Sequence, residues 1–546
     1  MKLSQLLKFI EPIRVYLPEA QVNEKDGRVV HHSVSDVELP DPEIGSIHYR
    51  AQDVKAGGVF VAIAGHIADG HDFIDEALNR RAAAVVAQQE IRPQEIQNPP
   101  GSHGDRGGGQ VNTHAVIIQV SNTRQALANL SAAFYGNPSE RQVLIGITGT
   151  NGKTTTAYLI ERILQQAGYA VGVIGTINYR YAGKTFDNPI TTPESTDLQR
   201  ILSEMLSAGI THVVMEASSH AIDLYRIQCC WLDMAVFTNL SQDHLDFHGD
   251  MQSYWASKKR LFTHYLASGP KKDRALAVIN CDNPYGQELK QLLAVPLITT
   301  GRGNGCAVRL AATRCELSGI TGTISTPDGT FDFISPLVGE HNVENILSAA
   351  GAAAALQLSP EIIKSGVEAL SHIRGRLERI DNDTGRFVYI DYAHTPDALR
   401  NVICALRAIT TNRIVCVFGC GGDRDKEKRP MMGEIAAKHC DLSIVTSDNP
   451  RTEDPQRIIE HILEGSRRVN GCAYSRADLK SGFGDKGFVV EPDRRHAIEL
   501  GIHVSRPGDT VLIAGKGHET YQILGKTTIP FDDREEARKV LVRLKV

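Results

Sequence analysis

Residues 144–156 read Leu-Ile-Gly-Ile-Thr-Gly-Thr-Asn-Gly-Lys-Thr-Thr-Thr. The apolar run Val143, Leu144, Ile145 and Ile147 predicts a buried strand, and Gly149 to Gly152 a turn. Lys153 opens a helix continued by Leu159, Ile160 and Ile163. Strand, glycine turn and helix start, in that order, aim backbone N–H groups and one lysine at a phosphate chain. Gly149 and Gly152 are expected to let the backbone approach the anion, and Thr154 or Thr155 to offer a hydroxyl to Mg²⁺. The spacing departs from the usual phosphate loop, because position 147 is Ile and the first useful glycine is Gly149. The stretch predicts an ATP site in an α/β domain.

Outward from this loop, strands are expected at 143–149, 171–175, 212–216, 233–237 and 275–280, mostly with helices between them. That alternation argues for a largely parallel, doubly wound sheet. Residues 305–336 read as short β segments with an Asp328-Gly329 turn, followed by helices at 342–357 and 360–371. The pattern resets near Arg374, and strands at 387–391, 413–418, 442–446 and 510–514 predict a second α/β domain. Upstream, strands are expected at 58–63, 82–86 and 115–120, with a helix through Leu127 and Leu130. The Pro/Gly-rich stretch 92–109 reads as a surface insertion. Domain boundaries follow at 1–140, 141–372 and 373–546.

A net charge of −5 and 42% hydrophobic residues over 546 positions describe a soluble globular protein without a basic face for nucleic acid. No apolar run is long enough to span a bilayer. The N-terminal Met1 to Ile10 reads as a short amphipathic helix and not a signal peptide. Ten scattered cysteines predict buried, reduced thiols and a cytoplasmic location.

Two further motifs follow apolar runs. Met215-Glu216-Ala217-Ser218-Ser219-His220 places a carboxylate, and Asp243-His244-Leu245-Asp246 an acidic and imidazole pair, near strand C-terminal ends. In an open α/β sheet that edge binds ligands, and a carboxylate there can reach a phosphate-bound Mg²⁺. Alone, the second motif is an acidic loop with a solvated histidine; beside the glycine turn it joins a nucleotide and metal site.

Gly149-Thr150-Asn151-Gly152-Lys153-Thr154, Thr238 to Asp246, His341 to Asn345 and Asp391-Tyr392-Ala393-His394-Thr395-Pro396 together resemble the Mur ligases, which build the bacterial cell-wall peptide. Residues 190–196, 418–430 and Gly515-Lys516-Gly517-His518-Glu519 resemble the branch that adds the third residue of that peptide. The resemblance covers about Arg50 to Phe531. It implies an N-terminal domain gripping a UDP end, a central ATPase and a C-terminal Rossmann-like domain receiving an amino acid. The implied reaction phosphorylates the D-glutamyl carboxylate of UDP-N-acetylmuramoyl-L-alanyl-D-glutamate with ATP. An incoming amine then attacks the acyl phosphate, and the tetrahedral intermediate collapses to an amide with loss of phosphate. A monomer is implied, with no nucleic-acid or membrane partner.

By the same resemblance Gly149, Thr150, Asn151, Gly152, Lys153, Thr154 and Thr155 bind the ATP phosphates. Thr154 and Glu216 hold Mg²⁺, and His244 lies near a second metal. Asn345 and His394 contact the base or ribose; His66, Thr191, Thr192, Ser218 and Arg226 bind the acceptor nucleotide peptide. Lys258 matches a lysine that these ligases carbamylate, which turns a cation into an oxygen ligand for the metal. Read without the family, Lys258 is a solvated helix lysine, and Lys259 competes with it. The residues expected to carry catalysis are therefore Lys153, Glu216, His244 and Lys258.

Specificity is expected at Ser447-Asp448-Asn449-Pro450-Arg451. The family's meso-diaminopimelate-adding members carry Asp-Asn-Pro-Arg here, and lysine-adding members lack the arginine. Diaminopimelate is lysine with a second carboxylate, which a guanidinium can take in two parallel bonds. A site built around such a bond rejects the analogue lacking it by about 10⁴ or more. Arg424, Asp448, Asn449, Gly515 and Glu519 complete the expected pocket, Glu519 being suited to an ammonium.

The chain departs from the family pattern at Tyr49, where a serine is common, at Ile190 in place of an asparagine, and at Leu224 in place of a glutamine. The competing readings are a lysine-adding ligase, a folylpolyglutamate-type ligase and a nucleotide-binding scaffold without turnover. Arg451 argues against the first and residues 191–195 with 218–226 against the second. Lys153, Glu216 and Lys258 together argue against the third.

Overall fold

Strand Val143–Thr148 is buried almost throughout, as its apolar run requires of a central parallel strand. His212–Glu216 pairs with it on one side, running in register from His212↔Val143 to Glu216↔Ile147. Met234–Phe237 pairs on the other, ending at Phe237↔Thr148. The C-terminal ends of three neighbouring strands therefore reach one edge together, and each hands over to a motif singled out above.

The computed structural model describes residues 1–16, 40–65, 68–89, 115–469 and 471–544. His66 and the 92–109 insertion lie outside them. Two compact units emerge: Met1–Asn151 with Gly168–Ile279 and Asn283–Leu297, and Gly152–Ala167 with Asn280–Asp282 and Ile298–Val546.

The first unit continues its parallel sheet outward through Leu276–Asn280 on one flank and Val171–Ile174 on the other. The antiparallel strands Tyr179–Tyr181 and Lys184–Phe186 complete the latter flank. A five-stranded sheet precedes it, ordered Pro12–Tyr16, Val116–Val120, Ala84–Ala87, Val59–Val61 and Ile47–His48, all parallel except the first. Helix Leu3–Leu7 buries Leu3, Leu6 and Leu7, the apolar side expected of an amphipathic start.

In the second unit the expected β-rich stretch is an antiparallel ribbon of Val308–Glu316, Gly319–Thr326 and Gly329–Ser335. Helices Lys153–Gln166, Glu340–Ala355 and Pro360–Glu368 pack together. Gly366 is required there, because a Cβ would strike the Ile163 backbone. The C-terminal sheet has the order Glu378–Ile380, Phe387–Asp391, Thr510–Ala514, Ile414–Phe418, Leu442–Val445, Gly487–Val490 and Cys472–Tyr474. All but the first edge strand run parallel.

Helices cover both faces of this sheet: Pro396–Arg407, Lys428–His439 and Pro455–Ser466 on one, Arg494–Val504 and Asp533–Arg543 on the other. This is the doubly wound, Rossmann-like arrangement. Arg494 and Asp533, both fully buried, join the last two helices by bonds of 2.8 and 2.6 Å, and Arg494 also donates to the Ala514 carbonyl at 2.9 Å.

The ten cysteines form no disulfide; five are buried, but Cys404 and Cys472 are exposed, against the expectation of uniformly buried thiols. Cys472 sits on an edge strand, where alternate side chains face solvent. No helix among the described residues is long and apolar enough to cross a membrane.

Candidate active site

The glycine turn is locked by the loop after Phe237. Thr150 N–H donates to the Asn239 carbonyl at 2.9 Å, Asn151 N–H to Asn239 Oδ1 at 3.0 Å, and Thr238 Oγ1 to the Asn151 carbonyl at 2.7 Å. Gly149 and Gly152 have φ of +152° and +87°, which disfavour side chains. A Cβ at Gly149 would strike Thr238 Oγ1, and one at Gly152 would strike Asn345 Oδ1. At both positions the absent side chain would meet protein, so packing of the turn alone already requires glycine.

Helix Lys153–Gln166 begins at Gly152 without a side-chain cap hydrogen bond, and a helix N-terminus favours an anion. Thr154 and Thr155 are buried in that turn. Asn345 is buried as well, donating to Asn342 Oδ1 at 3.0 Å, so it lies against the loop residue Gly152.

Lys258, on helix Met251–Arg260, is 1% exposed. Its Nζ donates to the Gly149 carbonyl at 2.7 Å and lies 4.5 Å from the Tyr254 ring centre. Lys259 instead pairs with Glu288 at 3.4 Å near the surface. The solvated-lysine description therefore fits Lys259, and Lys258 is turned inward to the phosphate loop.

Glu216 ends its strand with the carboxylate held by Thr176, whose N–H and Oγ1 donate at 3.0 and 2.9 Å. Thr192 Oγ1 donates to the Glu216 carbonyl at 2.8 Å and accepts from Ser218 N–H at 3.3 Å. Thr191 Oγ1 lies 3.1 Å from Thr176 Oγ1. Arg226 donates to Glu194 at 2.9 Å and to the Thr192 carbonyl at 3.3 Å, and Arg124 reaches the same Glu194 oxygen at 3.0 Å. Thr191, Thr192, Ser218, Arg226 and Glu216 thus share one neighbourhood. Thr176 and Glu194 were not singled out from sequence, although Thr176 just follows a strand end and meets the same edge rule.

His244 adopts a left-handed φ of +53°, a strained state that clusters at functional sites. Its ring is 5.0 Å from that of His220. Burial, with His244 and His248 beside it, pushes the His220 pKa down to about 4. Among the described residues no three His, Cys, Asp or Glu side chains are grouped for a metal ion. Glu216 offers carboxylate oxygens at its strand end, the donor type that Mg²⁺ takes beside substrate phosphates and water.

Elsewhere in the first unit, a cavity of about 300 Å³ is lined by His48, Tyr49, Asn188, Ile190, Glu194 and Asp197, among others. Two of the three sequence departures bear on it. Tyr49 OH donates to Asp197 at 2.9 Å, and Ile190 is exposed there.

In the second unit, strands ending at Phe418, Val445 and Ala514 lead into a cluster of polar side chains. Lys516 Nζ lies 3.0 Å from Glu519 Oε2, 3.1 Å from Asn449 Oδ1 and 3.5 Å from Asp448 Oδ1. Gly515, at φ +112°, keeps clear of Asp448, which a Cβ would crowd at 2.8 Å. The hairpin Tyr521–Leu524 and Thr527–Pro530 supports this cluster: Gln522 donates to the Asp448 carbonyl at 2.7 Å and Ile523 N–H to Asn449 Oδ1 at 3.0 Å.

Arg451 sits at φ +51° and donates to the Gly422 carbonyl at 2.7 Å, and Gly422 N–H donates to the Asn449 carbonyl at 2.9 Å. Pro450 accepts from Glu453 N–H at 3.1 Å. Arg429, fully buried, grips Glu453 by two bonds at 3.0 and 2.8 Å and holds its pKa down to about 2. Arg424 is exposed and donates to the Asp423 carbonyl at 3.1 Å. His394 packs on Tyr392 with ring centres 4.5 Å apart, and its carbonyl accepts from Lys428 at 2.9 Å.

Three family models match the chain: the Mur ligase family catalytic domain over residues 43–135, the Mur ligase middle domain over 147–353 and the Mur ligase glutamate ligase domain over 375–517. A UDP-N-acetylmuramoyl-L-alanyl-D-glutamate--2,6-diaminopimelate ligase of Geobacter metallireducens is 48% identical over 90% of this chain and 93% of its own. A solved structure of a ligase with that name is 29% identical, covers 92% of this chain and 96% of its own, and superposes with a TM-score of 0.63. A MurF ligase of Thermotoga maritima, solved in complex with ADP, shares the fold at 20% identity and a TM-score of 0.57, over 91% of this chain and 97% of its own.

Proposed function

Because the chain belongs to the Mur ligase family, we propose that it joins meso-2,6-diaminopimelate to UDP-N-acetylmuramoyl-L-alanyl-D-glutamate at the expense of ATP. The observation that carries this reading is the 48% identity, over nine-tenths of the chain, to a ligase named for that reaction. Arg451, in the Asp-Asn-Pro-Arg turn, and the neighbouring carboxylates supply the matching chemistry.

In this reading the phosphate loop and the N-terminus of helix Lys153–Gln166 take the ATP phosphates. Thr154 and Glu216 hold Mg²⁺, with His244 beside a second metal. Magnesium when bound neutralises phosphate charge. Thr191, Thr192, Ser218 and Arg226 orient the acceptor peptide so that its D-glutamyl carboxylate meets the γ-phosphate. Such a transfer depends on positioning and charge stabilisation more than on a protein nucleophile. Lys258 as a carbamate offers an oxygen ligand in place of an ammonium; its burial against Gly149 gives that carbamate a site shielded from bulk water. Asp448 and Glu519 take the ammonium of the incoming amino acid and Arg451 its distal carboxylate. The chain divides by function into 1–140, 141–372 and 373–546.

The test is phosphate release by the purified protein with ATP, Mg²⁺ and the UDP dipeptide. Release with diaminopimelate and not with L-lysine is expected. Equal release with lysine would discard the specificity, and none with either would discard the ligase.

A further inference from the structure

Lys516 is fully buried beside the residues proposed to receive the amino acid, and no role for it follows from the sequence motifs. Its ammonium lies between Asp448 and Glu519, 3.5 and 3.0 Å from their nearest oxygens. The Tyr521 ring stands 5.5 Å from it. Two carboxylates crowded in one pocket repel each other unless a cation separates them. With Lys516 present the three groups sum to one negative charge; without it they would sum to two. Asp448 Oδ1 is buried and carries no hydrogen bond among the described residues, so its pairing with the Lys516 ammonium at 3.5 Å is ionic.

We infer that Lys516 sets the specificity of the pocket by cancelling one carboxylate charge. The remaining negative charge pairs with a single ammonium, and Arg451 takes a single carboxylate, so the pocket is neutral toward the zwitterionic end of an amino acid. A bare ammonium, as on lysine, meets Arg451 without a counter-charge. Lys516 acts through Asp448 and Glu519 and is a positioning residue. This inference rests on the proposed diaminopimelate reading.

The experiment is steady-state phosphate release by the full chain carrying Lys516→Met, Glu519→Gln or both, with diaminopimelate varied and L-lysine tested as substrate and inhibitor. Lys516→Met should raise KM for diaminopimelate about tenfold or more, the order expected when one buried ionic partner is lost. It should also bring lysine and diaminopimelate closer together in kcat/KM. Glu519→Gln should move that ratio the opposite way, which keeps the test open if Lys516→Met fails to fold. The double variant, with the charge sum restored, should recover part of the loss in KM, a coupling that independent sites do not show. KM for ATP should stay within about twofold throughout, since uniform loss would mean general damage. Additive effects, or an unchanged ratio with both KM values raised, would overturn the role of Lys516. A wild type inactive with diaminopimelate would instead overturn the functional reading beneath it.

Discussion

The Lys258 ammonium donates to the Gly149 carbonyl at 2.7 Å while only 1% of the residue is exposed. Carbamylation would replace that buried ammonium with a carboxylate, an oxygen ligand of the kind a magnesium ion takes. Lys258→Ala is expected to lower kcat by about 10²-fold or more, the scale of losing one electrostatic stabiliser. Short carboxylic acids should restore part of it by refilling the space with an oxygen ligand, and Lys259→Ala should stay near wild type. Phosphate-release assays with and without acetate or formate measure this; full activity in Lys258→Ala ends the carbamate idea.

Arg451→Ala should raise KM for diaminopimelate about 10²-fold, corresponding to about 3 kcal/mol for a lost charge-assisted pair. KM for ATP should hardly move. Because Arg451 already donates to the Gly422 carbonyl at 2.7 Å, the variant also loosens the turn between the two strand ends. Arg451→Lys keeps the charge but not the fork, and should recover less than half of the lost binding energy. Unchanged kinetics with diaminopimelate would remove this turn from the specificity argument.

The strand ends were legible because each buried strand is a short apolar run followed at once by polar residues, as at Thr148-Gly149, Met215-Glu216 and Val445-Thr446. Parallel register then brings such ends to one edge, a consequence of topology more than of local sequence. Contacts made by distant segments were not legible. Nothing near Lys258 announces that its helix turns it toward Gly149, and nothing in the polar stretch 521–530 announces the hairpin that supports Asp448 and Asn449. Cys472–Tyr474 is short and largely exposed, so it lacks the apolar period that marks a strand. Tyr49 was readable as a departure, but its hydrogen bond to Asp197, 148 residues away, was not.

Glu453 gives a pH prediction with a definite sign. Hydrogen bonds from Arg429 hold its pKa down to about 2, below the ordinary 4.5. A carboxylate with a depressed folded-state pKa contributes stability that is full above about pH 5 and lost as pH falls toward 2. Glu453→Gln should cost about 3 kcal/mol at most near neutral pH, because each tenfold gain in acidity on folding is worth about 1.4 kcal/mol and solvent at the partly exposed carboxylate screens part of it. The gap from wild type should close near pH 2. Hydrogen exchange of helix Lys428–His439 at pH 7 and pH 3 would report it, and a gap independent of pH would refute the linkage.

Arg494 and Asp533 are both 0% exposed in their side chains, and their pair ties the last two helices to the end of strand Thr510–Ala514. Asp533→Ala leaves a guanidinium buried without its counter-charge, which costs about 3–5 kcal/mol. Replacing both, as Arg494→Met with Asp533→Leu, removes the charge as well as the partner and should cost much less. Both tryptophans, Trp231 and Trp255, belong to the other compact unit, so their fluorescence is the wrong probe. Hydrogen exchange in Thr510–Ala514 reads the right segment, with protection falling about 10²-fold or more in Asp533→Ala. Since Ala514 precedes Gly515 and Lys516, that variant should also raise KM for diaminopimelate more than KM for ATP. A single variant no less protected than the double one would show that the pair is not what holds this strand end in place.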